Sequence, residues 1–396
     1  MKKVVIIGAG ASGMFFALNI NTDKYDVTIL EKNKIAGKKL LMTGNGKCNF
    51  WNEDMTIKHF HSNENLDSII SDDLIREIPK IFDKLSIEKK NKNGYYYPFT
   101  NKASTIKDTF LEEIENKNIK IRYNYDVLNI EKTSDGYLIN NEIKADILVI
   151  ATGGLTYPKT GSNGEGINIL QKLGHDVIQP LPSLVQLIST KKEYLKAWHG
   201  IREDAKVSLY INDKLIKEES GELQLTDYGI SGICVFNISR DASIALYEKK
   251  KVEVKIDFMP FCNDVVKYLK EKNTKLSILS MLKRIINETL AKIILDESHI
   301  KYNVLVKNLS DNELERLEKN IKEFNLEIIN TKSFDNAQVT RGGISLKDIN
   351  SKFESKKCKN LYIIGEALDV DGDCGGYNLA FAFMSAYKAS KGLNDD

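Results

Sequence analysis

A glycine motif near the amino terminus has the spacing of a nucleotide-binding turn. Gly8, Gly10 and Gly13 form GxGxxG directly after the apolar residues 4–7. In such a turn the first glycine permits a tight bend, the second lets the backbone approach a pyrophosphate, and the third lets a helix pack closely on a strand. Glu31 follows the next apolar run, at the offset where a carboxylate binds the two ribose hydroxyls. These residues predict a site for an adenine nucleotide with an unphosphorylated ribose.

Further glycine-rich segments could contact the same nucleotide. Residues 37–49 combine glycine, asparagine and lysine in a loop suited to phosphate and to a polar ring edge. Residues 146–154 form a buried strand that runs into glycines, and residues 361–378 repeat the order strand, acidic glycine loop, helix. One cofactor would thus be contacted by the first and the last elements of the chain. The GxGxxG turn does not separate FAD from NAD, since both bind in this way.

Six motifs follow one another along nearly the whole chain. They are GxGxxG at residues 8–13, GKKLLMTGNGKCN at 37–49, ATGGLTYPKTGSNGEG at 151–166, LPSLVQL at 181–187, VTRGGIS at 339–345 and GEALDVDGDCGGYNLAFA at 365–382. In these motifs the sequence resembles the BaiN/YhiN-type (aminoacetone oxidase-like) family of NAD(P)/FAD-dependent oxidoreductases, which includes proposed bile-acid reductases. It departs from the family at Lys47, where an arginine is usual, and at residues 230–236, where a Gly-Pro pair is usual.

The resemblance implies a non-covalent FAD. The implied ADP contacts are Gly8, Gly10, Ala11, Ser12, Gly13, Glu31 and Lys32, with the Val127 backbone at the adenine and Ala151, Thr152 and Gly153 on the adenosine side. The implied contacts with the pyrophosphate, the ribitol and the flavin ring are Lys39, Thr43, Gly44, Asn45, Gly46, Cys48, Asn49, Gly365 and Glu366. Gly376, Tyr377, Asn378 and Leu379 would place a helix N-terminus at the flavin's pyrimidine carbonyl, where a positive dipole stabilises the reduced, anionic ring.

The candidate catalytic residues are Arg341, Tyr157 and Tyr377, and no metal site is predicted. Arginine is scarce in this chain, and Arg341 lies in a glycine loop where the family commonly has a small residue, so it could orient an anionic substrate or cofactor group. The two tyrosines are candidates for proton transfer by their positions. The lone histidines His59 and His61 are predicted to be hydrogen-bonded surface or core residues rather than catalysts.

Composition restricts the classes of protein that remain. The 396 residues are 42% apolar and 28% charged, as in folded proteins, and the length predicts two or three packing units. The net charge of +2 supplies little field for nucleic-acid binding, so a nucleic-acid partner is disfavoured. Five cysteines without a CxxC pair argue against disulfides, a zinc site or a dithiol relay and favour the cytoplasm. Glycines interrupt the apolar residues 4–20, so neither a signal peptide nor a membrane span is expected, and the oligomeric state is left open.

The elements that must position these residues divide into three predicted parts. Residues 1–186 and 334–396 would form a discontinuous α/β, Rossmann-like FAD-binding domain of the glutathione-reductase/fumarate-reductase type. Residues 187–260 with about 325–333 would form an inserted small antiparallel β domain, a barrel-like substrate domain. Residues 261–324 would form a helical subdomain. The inserted part is expected to cover the flavin and to form the substrate pocket.

Local patterns carry the prediction for the inserted part. Residues 206–211, 215–219 and 222–226 alternate apolar and polar side chains as strands do. A stripe at helical spacing runs through Leu276, Leu279, Leu282, Ile286, Leu290 and Ile293. Ser310 and Glu313 form a capping box, followed by a second stripe of Leu314, Leu317, Ile321 and Phe324.

Three functions stay open. The leading hypothesis is an enzyme that passes hydride from NAD(P)H through FAD to a small organic substrate, such as a conjugated C=C bond in an enone or a steroid. NAD(P)H would dock transiently, because the chain has one GxGxxG unit. The first alternative is an oxygen-using amine oxidase of the aminoacetone oxidase type that forms hydrogen peroxide. The second is a flavin-dependent RNA-modifying or RNA-binding protein.

Overall fold

The computed structural model of the protein describes residues 1–190, 192–272 and 275–395. By its internal contacts the chain divides into two compact units, Met1–Leu181 with Ala337–Asp396, and Pro182–Asn336. Each unit has a hydrophobic core of its own. The divisions lie a few residues from the predicted boundaries at 186/187 and 333/334.

The chain up to Ser183 contains twelve strands and four α-helices. Its strands are β1 (Lys2–Ile7), β2 (Tyr25–Leu30), β3 (Trp51–Asn52), β4 (Phe60–His61), β5 (Lys89–Lys92), β6 (Tyr95–Pro98), β7 (Lys120–Arg122), β8 (Ile130–Lys132), β9 (Tyr137–Ile139), β10 (Ile143–Ala145), β11 (Ile147–Ile150) and β12 (Val177–Ser183). Its helices are α1 (Ala11–Asn19), α2 (Asp72–Lys84), α3 (Ala103–Asn116) and α4 (Glu165–Lys172).

The remaining elements belong to the inserted unit and to the return of the chain. The inserted unit contains β13 (Leu187–Ser189), α5 (Tyr194–Ala197), β14 (Arg202–Ile211), β15 (Lys214–Thr226), β16 (Gly229–Gly232), α6 (Ile233–Tyr247), β17 (Val252–Asp257), α7 (Val265–Glu271), α8 (Ile278–Leu282), α9 (Glu288–Glu297), α10 (Asp311–Lys322) and β18 (Phe324–Thr331). The return contains β19 (Val339–Ile344), β20 (Leu361–Ile363), β21 (Asp371–Gly372) and α11 (Tyr377–Asn394).

A five-stranded parallel sheet forms the centre of the first unit, in the order β20-β11-β1-β2-β7. In β1, Val4 stands opposite Val27 of β2 and Ile147 of β11. Residues 4–7 and all of β11 are buried, as expected for parallel strands covered on both faces. The strand order reverses at β1, and ligands of such sheets bind beside the carboxyl ends of the strands at that point. The prediction of a Rossmann-like α/β domain is confirmed.

An aromatic cluster holds together the helices that surround this sheet. Phe15 of α1, Phe82 of α2, Phe110 of α3 and Phe383 of α11 are fully buried. The ring centroids of Phe15 and Phe383 lie 4.9 Å apart, and those of Phe82 and Phe383 lie 5.2 Å apart. Rings at these separations attract one another beyond the burial of their area. The cluster therefore fixes α1 and α11, the two helices whose first turns line the cavity described below.

The inserted unit is a closed antiparallel barrel in the order β13-β16-β15-β14-β17-β18. Closure leaves no free strand edge in the barrel. The apolar side chains of α6 and of α8 to α10 share one core with those of the strands. The predicted antiparallel β insertion is therefore confirmed as a barrel.

The structure corrects some of the local predictions for this unit and confirms the capping box. Residues 215–219 and 222–226 are parts of one strand, β15, because β14 pairs with β15 from Lys214 to Gln224. The stripe from Leu276 to Ile293 is divided between α8 and α9. The capping box of Ser310 and Glu313 is confirmed at the start of α10. Phe324 is not part of that helix: it begins β18, where it stands opposite Ile256 in the barrel.

Among the residues described, no helix has the length and the apolar character that crossing a bilayer requires.

Candidate nucleotide site and active site

The GxGxxG turn connects β1 to α1, and each glycine has a distinct steric environment. Gly8 has φ of +102°, and a Cβ there would lie 2.5 Å from the Ala151 carbonyl oxygen. A Cβ on Gly13 would lie 2.0 Å from the Gly8 oxygen, so this glycine allows α1 to pack against the strand end. A Cβ on Gly10 would meet no atom within 4 Å. The open side of Gly10 is where the motif predicts that a pyrophosphate approaches the backbone.

A large cavity opens at this turn, beside the carboxyl ends of β1, β2 and β11. It contains about 1340 Å³, including space open to solvent. The predicted cofactor residues that line it are Gly8, Gly10, Ala11, Ser12, Glu31, Lys32, Lys39, Thr43, Val127, Ala151, Thr152, Gly153, Glu366, Asn378 and Leu379. Those outside its lining are Gly13, Gly44, Asn45, Gly46, Cys48, Asn49, Gly365, Gly376 and Tyr377. The structure thus brings together residues from four distant parts of the chain around one cavity.

The first turn of α1 presents backbone N–H groups to the cavity. Gly10 is its N-cap residue, no side chain caps the helix, and Ala11 and Ser12 line the cavity. The first turn of a helix has N–H groups without partners in the helix and a partial positive charge, which together bind phosphate. The arrangement fits the pyrophosphate of a dinucleotide.

Glu31 stands at the end of β2 in a fixed orientation. Its side chain is buried, and Oε2 accepts a hydrogen bond from the Ala9 backbone N–H at 2.9 Å. Oε1 accepts from the backbone N–H and the side-chain amide of Asn33, at 2.8 and 2.7 Å. A carboxylate held in this way keeps acceptor capacity for a ribose hydroxyl. Its geometry fits the predicted role.

Lys32 closes the adenosine side of the cavity. Its ammonium lies 2.7 Å from Glu165 at the start of α4 and 3.5 Å from Asp126. Burial alone would lower the pKa of Lys32, but the two carboxylates outweigh it and raise that pKa above its ordinary value. This lysine is therefore a cation that links the segment after β7 to the first turn of α4.

A polar network surrounds Glu366 at the middle of the cavity. Its carboxylate forms an ion pair with Lys39 at 2.5 Å and accepts hydrogen bonds from the Thr156 hydroxyl and the Thr340 backbone N–H, at 3.0 and 2.9 Å. Both ionic side chains are about a fifth exposed, with values of 23% for Lys39 and 21% for Glu366. Both charges lie on the wall of the cavity. Lys39 would attract a bound phosphate, whereas Glu366 would repel it.

Thr152 provides a test of whether this cavity suits a cofactor. Its Oγ1 is buried and has no hydrogen-bond partner among the described residues. A buried hydroxyl without a partner costs about 1–3 kcal/mol. Thr152 lines the cavity, so a polar group of a bound molecule could supply the missing partner. Together with the open side of Gly10 and the uncapped α1, this observation fits FAD.

Replacement of Thr152 with valine is expected to have opposite effects on the two forms of the protein. Valine removes the unsatisfied hydroxyl, so the flavin-free protein should gain about 1 kcal/mol in its free energy of unfolding. The FAD complex should lose a hydrogen bond, which weakens FAD binding by about tenfold. Thermal melts of the flavin-free protein and fluorescence titration with FAD measure the two effects.

Thr160→Val is the matched control for that substitution. The Thr160 hydroxyl is also buried beside the cavity but donates to the Tyr157 carbonyl at 2.7 Å, so its loss should lower the Tm of the flavin-free protein. A fall in Tm for both variants would contradict the assignment of Thr152 as a cofactor contact.

The glycine-rich loop of residues 37–49, which follows β2, has an unusual backbone. Gly44, Asn45, Gly46 and Cys48 all have positive φ, at 56°, 53°, 80° and 58°. Residues 44–47 are exposed, whereas Cys48 is buried. Burial raises the pKa of the Cys48 thiol to about 12, so it is protonated at neutral pH. A buried, protonated thiol is a poor nucleophile, so Cys48 is a packing residue of this loop.

The first turn of α11 provides the second helix N-terminus at the cavity. Its N-cap residue is Gly376, with φ of +96° and no capping side chain. Asn378 lines the cavity, and its amide is held by the Gly372 backbone, accepting from N–H at 2.9 Å and donating to the carbonyl at 2.8 Å. This helix start fits the predicted position beside the flavin's pyrimidine carbonyl.

The three candidate catalytic residues have separate surroundings, and none lines the cavity. The guanidinium of Arg341 donates to the Gln179 carbonyl and to the Asn63 side chain, at 3.2 and 2.9 Å. Its Nε is buried and has no hydrogen-bond partner within the described part of the chain. The roles of these residues stay predictions, and Arg341 is the one with an unused donor.

The two tyrosines are less suited to proton transfer than their positions in the sequence suggest. Burial raises the pKa of Tyr157 and also that of Tyr377. The Tyr377 hydroxyl donates to the Asp54 carbonyl at 3.2 Å, and the residue is 4% exposed. Tyr157 has φ of +53° and precedes a short turn. The Tyr377 phenol, which is buried and donates to a backbone carbonyl, is suited to packing rather than to proton transfer.

The structure also brings together residues that the sequence interpretation did not combine. His59 and His61 both contact the carboxylate of Asp373. The repeated spacing in His59-x-His61 and Asp371-x-Asp373 was a signal in the sequence, but only the pairing of β4 with β21 places the two motifs opposite each other. Further cavity residues without such a signal include Tyr125, Ile169, Gln338 and Phe381. No group of His, Cys, Asp or Glu in the described ranges is arranged to hold a metal ion.

Comparison with known proteins gives matches over nearly the whole chain. The family described as HI0933-like protein Rossmann domain matches residues 2–392. The 3-dehydro-bile acid delta(4,6)-reductase of Clostridium scindens is 34% identical over 405 aligned residues, which cover 99% of this chain and 98% of that protein. The ribosomal RNA dihydrouridine synthase of Haemophilus influenzae is 28% identical, with 98% of both chains covered.

Similar folds occur among solved structures. One is the crystal structure of 3-ketosteroid-delta4-(5alpha)-dehydrogenase from Rhodococcus jostii, with a TM-score of 0.48 and 11% identity over 99% of this chain and 96% of that one.

Proposed function

The chain belongs to the HI0933-like Rossmann family of flavin-dependent oxidoreductases, and on that premise we propose that it binds FAD non-covalently and reduces a C=C bond conjugated with a carbonyl. The hydride would come from NAD(P)H. The substrate would be a small organic molecule, such as an enone or a steroid-like ketone. The family that the motifs indicated is confirmed, whereas the electron donor and the substrate are parts of the proposal.

One observation carries the cofactor part of the proposal: a single cavity joins the open side of Gly10, the uncapped start of α1, Glu31 and the unsatisfied hydroxyl of Thr152. A bound flavin would supply the hydride chemistry. The chain's own residues would bind the pyrophosphate at α1, orient the ribose at Glu31 and support a negative charge at the start of α11. A stabilised negative charge there favours the reduced flavin.

The names of two relatives favour reduction over amine oxidation. A delta(4,6)-reductase acting on a 3-dehydro bile acid and a dihydrouridine synthase both add hydrogen to a C=C bond conjugated with a carbonyl. Their substrates differ greatly in size, but the reacting group is of one chemical class. We therefore favour the same class for this chain and rank the amine oxidase below it.

Anaerobic titration of the flavin with NADH and with NADPH tests the proposal. We expect one of the two nicotinamides to bleach the flavin, and 2-cyclohexen-1-one or a 3-oxo-Δ4 steroid to restore its oxidised spectrum without oxygen. Purified protein that takes up no FAD would contradict the cofactor assignment. Bleaching by aminoacetone, with peroxide formed on aeration and no reaction with either nicotinamide, would favour the oxidase.

An RNA substrate is the second candidate, and one surface feature favours it. The hairpin of β5 and β6 carries Lys89, Lys90 and Lys92 beside the tyrosines of residues 95–97, and Phe99 after it is 66% exposed. Lysines together with exposed aromatic rings suit single-stranded RNA. Loss of dihydrouridine from the ribosomal RNA of a strain that lacks this protein would support RNA as the substrate. Unchanged dihydrouridine, with no salt-sensitive RNA binding, would oppose it.

A further inference from the structure

A two-stranded ribbon places four ionisable residues on one face beside the start of α11. The strands β4 and β21 are antiparallel, with His61 opposite Asp371 and Phe60 opposite Gly372. The hydrogen bond from the Asp373 N–H to the His59 carbonyl, at 3.0 Å, extends the ladder by one pair. Since alternate residues of a strand share a face, the two histidines lie on the same side as the two aspartates.

Within this group one carboxylate bridges two imidazoles. Asp373 Oδ2 lies 2.9 Å from His59 Nδ1, and Asp373 Oδ1 lies 3.0 Å from His61 Nε2. The side chains are 18% exposed for Asp373, 21% for His59 and 30% for His61. All three are thus largely shielded from water while His61 keeps access to it.

The contacts of His59 involve both of its ring nitrogens. Its second ring nitrogen, Nε2, lies 3.0 Å from Asp54 Oδ2, so each nitrogen faces a carboxylate oxygen. Ionised carboxylates only accept hydrogen bonds, so both ring nitrogens of His59 are occupied by contacts with carboxylates. Lys58, 2.8 Å from Asp54, and the Tyr377 ring, stacked on His59 at 4.4 Å, complete the surroundings. Lys58 and His59 lower the pKa of the Asp54 carboxyl, so Asp54 is the ionised partner of His59.

His61 is held differently. Asp373 accepts from Nε2, which leaves Nδ1 with no hydrogen-bond partner among the described residues. A carboxylate on one imidazole nitrogen fixes the orientation of the ring, as the aspartate does in a catalytic triad. His61 can therefore release a proton from Nδ1 and regain one from water. His59 cannot do so without breaking a contact with a carboxylate.

The ribbon adjoins the end of the cavity where α11 begins. Val370, directly before β21, lines the cavity, and so does Asn378, whose amide grips the Gly372 backbone in the ribbon. Asn63, two residues after His61, accepts from Arg341. His61 does not itself line the cavity, but its strand pairs with the segment that directly follows the cavity residue Val370.

We propose that His61 is the proton donor of the reduction, with Asp373 as the residue that positions its ring and His59 as the residue that holds Asp373. This proposal rests on the proposed function. In that reaction the C=C π bond breaks, a hydride forms the C–H bond at the β carbon, and the resulting enolate takes a proton at the α carbon. Reduced nicotinamide is the source of the two electrons, through the flavin. The proton leaves His61 Nδ1, and the neutral imidazole is recharged from water.

Half-reactions of the holoenzyme separate the proton from the hydride. The flavin is reduced anaerobically with dithionite and then mixed with 2-cyclohexen-1-one, or with ferricyanide, which takes electrons without protonation at carbon. We expect His61→Gln to slow reoxidation by the enone about 100-fold, a usual contribution of a general acid. Reoxidation by ferricyanide should not change. In the wild type the enone rate should fall as pH rises, and this dependence should disappear in His61→Gln.

The positioning residues and a control have their own expected results. Asp373→Asn should slow the enone step and not the ferricyanide step. His199→Gln is the matched control, because His199 is an exposed histidine, its side chain 60% accessible, that lies 3.7 Å from the Asp227 carboxylate. It should behave as the wild type in both reactions. Long-range proton–nitrogen NMR of the flavin-free protein should show that the neutral form of His61 carries its proton at Nε2.

The possible failures are distinguishable. A wild-type enzyme whose reduced flavin reacts with neither the enone nor a 3-oxo-Δ4 steroid would overturn the proposed function and this proposal with it. A His61→Gln enzyme that reacts with the enone at the wild-type rate would overturn this proposal alone, as would equal slowing with ferricyanide. A neutral His61 protonated at Nδ1 in the NMR spectra would overturn the contact between His61 and Asp373 on which the proposal depends.

Discussion

Replacement of Gly10 with alanine is expected to remove most FAD binding while leaving the flavin-free protein as stable as the wild type. A Cβ at this position meets no protein atom within 4 Å, and the backbone there is extended, so alanine introduces no strain. The added methyl group instead occupies the space in which the pyrophosphate would approach the chain. We expect affinity to fall at least about 100-fold, which corresponds to about 2.8 kcal/mol. Titration followed by flavin fluorescence measures it, and a thermal melt without FAD measures stability.

Gly13→Ala is the contrasting variant of the same motif. Its Cβ would lie 2.0 Å from the Gly8 carbonyl oxygen, a backbone atom that cannot move without shifting α1 from the sheet. Overpacking of this kind costs about 1–3 kcal/mol or more, so the Tm of the flavin-free protein should fall. If Gly10→Ala lowered the Tm as much as Gly13→Ala, or bound FAD normally, the assignment of the Gly10 side of the cavity to the pyrophosphate would be wrong.

Substitutions at Lys39 and Glu366 are expected to change FAD affinity in opposite directions. Lys39→Met leaves the Glu366 carboxylate without its cation on the wall of the cavity, where it would repel a phosphate. We expect a loss in affinity on the order of 100-fold, because unpaired charges that are largely shielded from water interact strongly. Glu366→Gln keeps an acceptor for Thr340 and leaves Lys39 free to pair with phosphate, so affinity should be equal or higher.

The double variant supplies the control for this pair. Lys39→Met combined with Glu366→Gln has no charge at either position, and its affinity should lie between those of the single variants. Raising the salt concentration should reduce the difference between the single variants, since mobile ions screen the part of the interaction that water reaches. Equal losses in both single variants would show that the network acts by shape, and would contradict an electrostatic role at the phosphate.

The nucleotide half of the site could be predicted because its signals are local. The GxGxxG turn and the acid at Glu31 each follow a short buried strand, so a stretch of about 30 residues contains the strand, turn, helix and acid together. Within that stretch a Cβ on Gly8 or Gly13 would collide with a backbone oxygen, whereas a Cβ on Gly10 would meet no atom. Residues whose role depends on distant partners were predicted less well. Phe324 fits a helical stripe by spacing, but pairing with β17 makes it the first residue of a strand.

The residues proposed for catalysis show the same limit more strongly. His59 and His61 looked like isolated histidines because the residue that joins them, Asp373, lies more than three hundred positions later in the chain. Tyr377 looked like a donor by position, yet its hydroxyl is directed to a backbone carbonyl. In each case the chemistry depends on which side chain stands opposite, and strand pairing across the whole chain decides that.

By itself, therefore, the amino-acid sequence determined the family, the Rossmann-like α/β fold with its β insertion, and the residues that begin the nucleotide site. These follow from spacing within single segments, where covalent geometry and side-chain alternation leave few choices. Only the tertiary structure decided that Gly10 faces open space, that Lys39 and Glu366 neutralise each other, and that one carboxylate bridges two histidines. Those properties arise from contacts between segments far apart in the chain, because burial and charge depend on the neighbours that folding supplies.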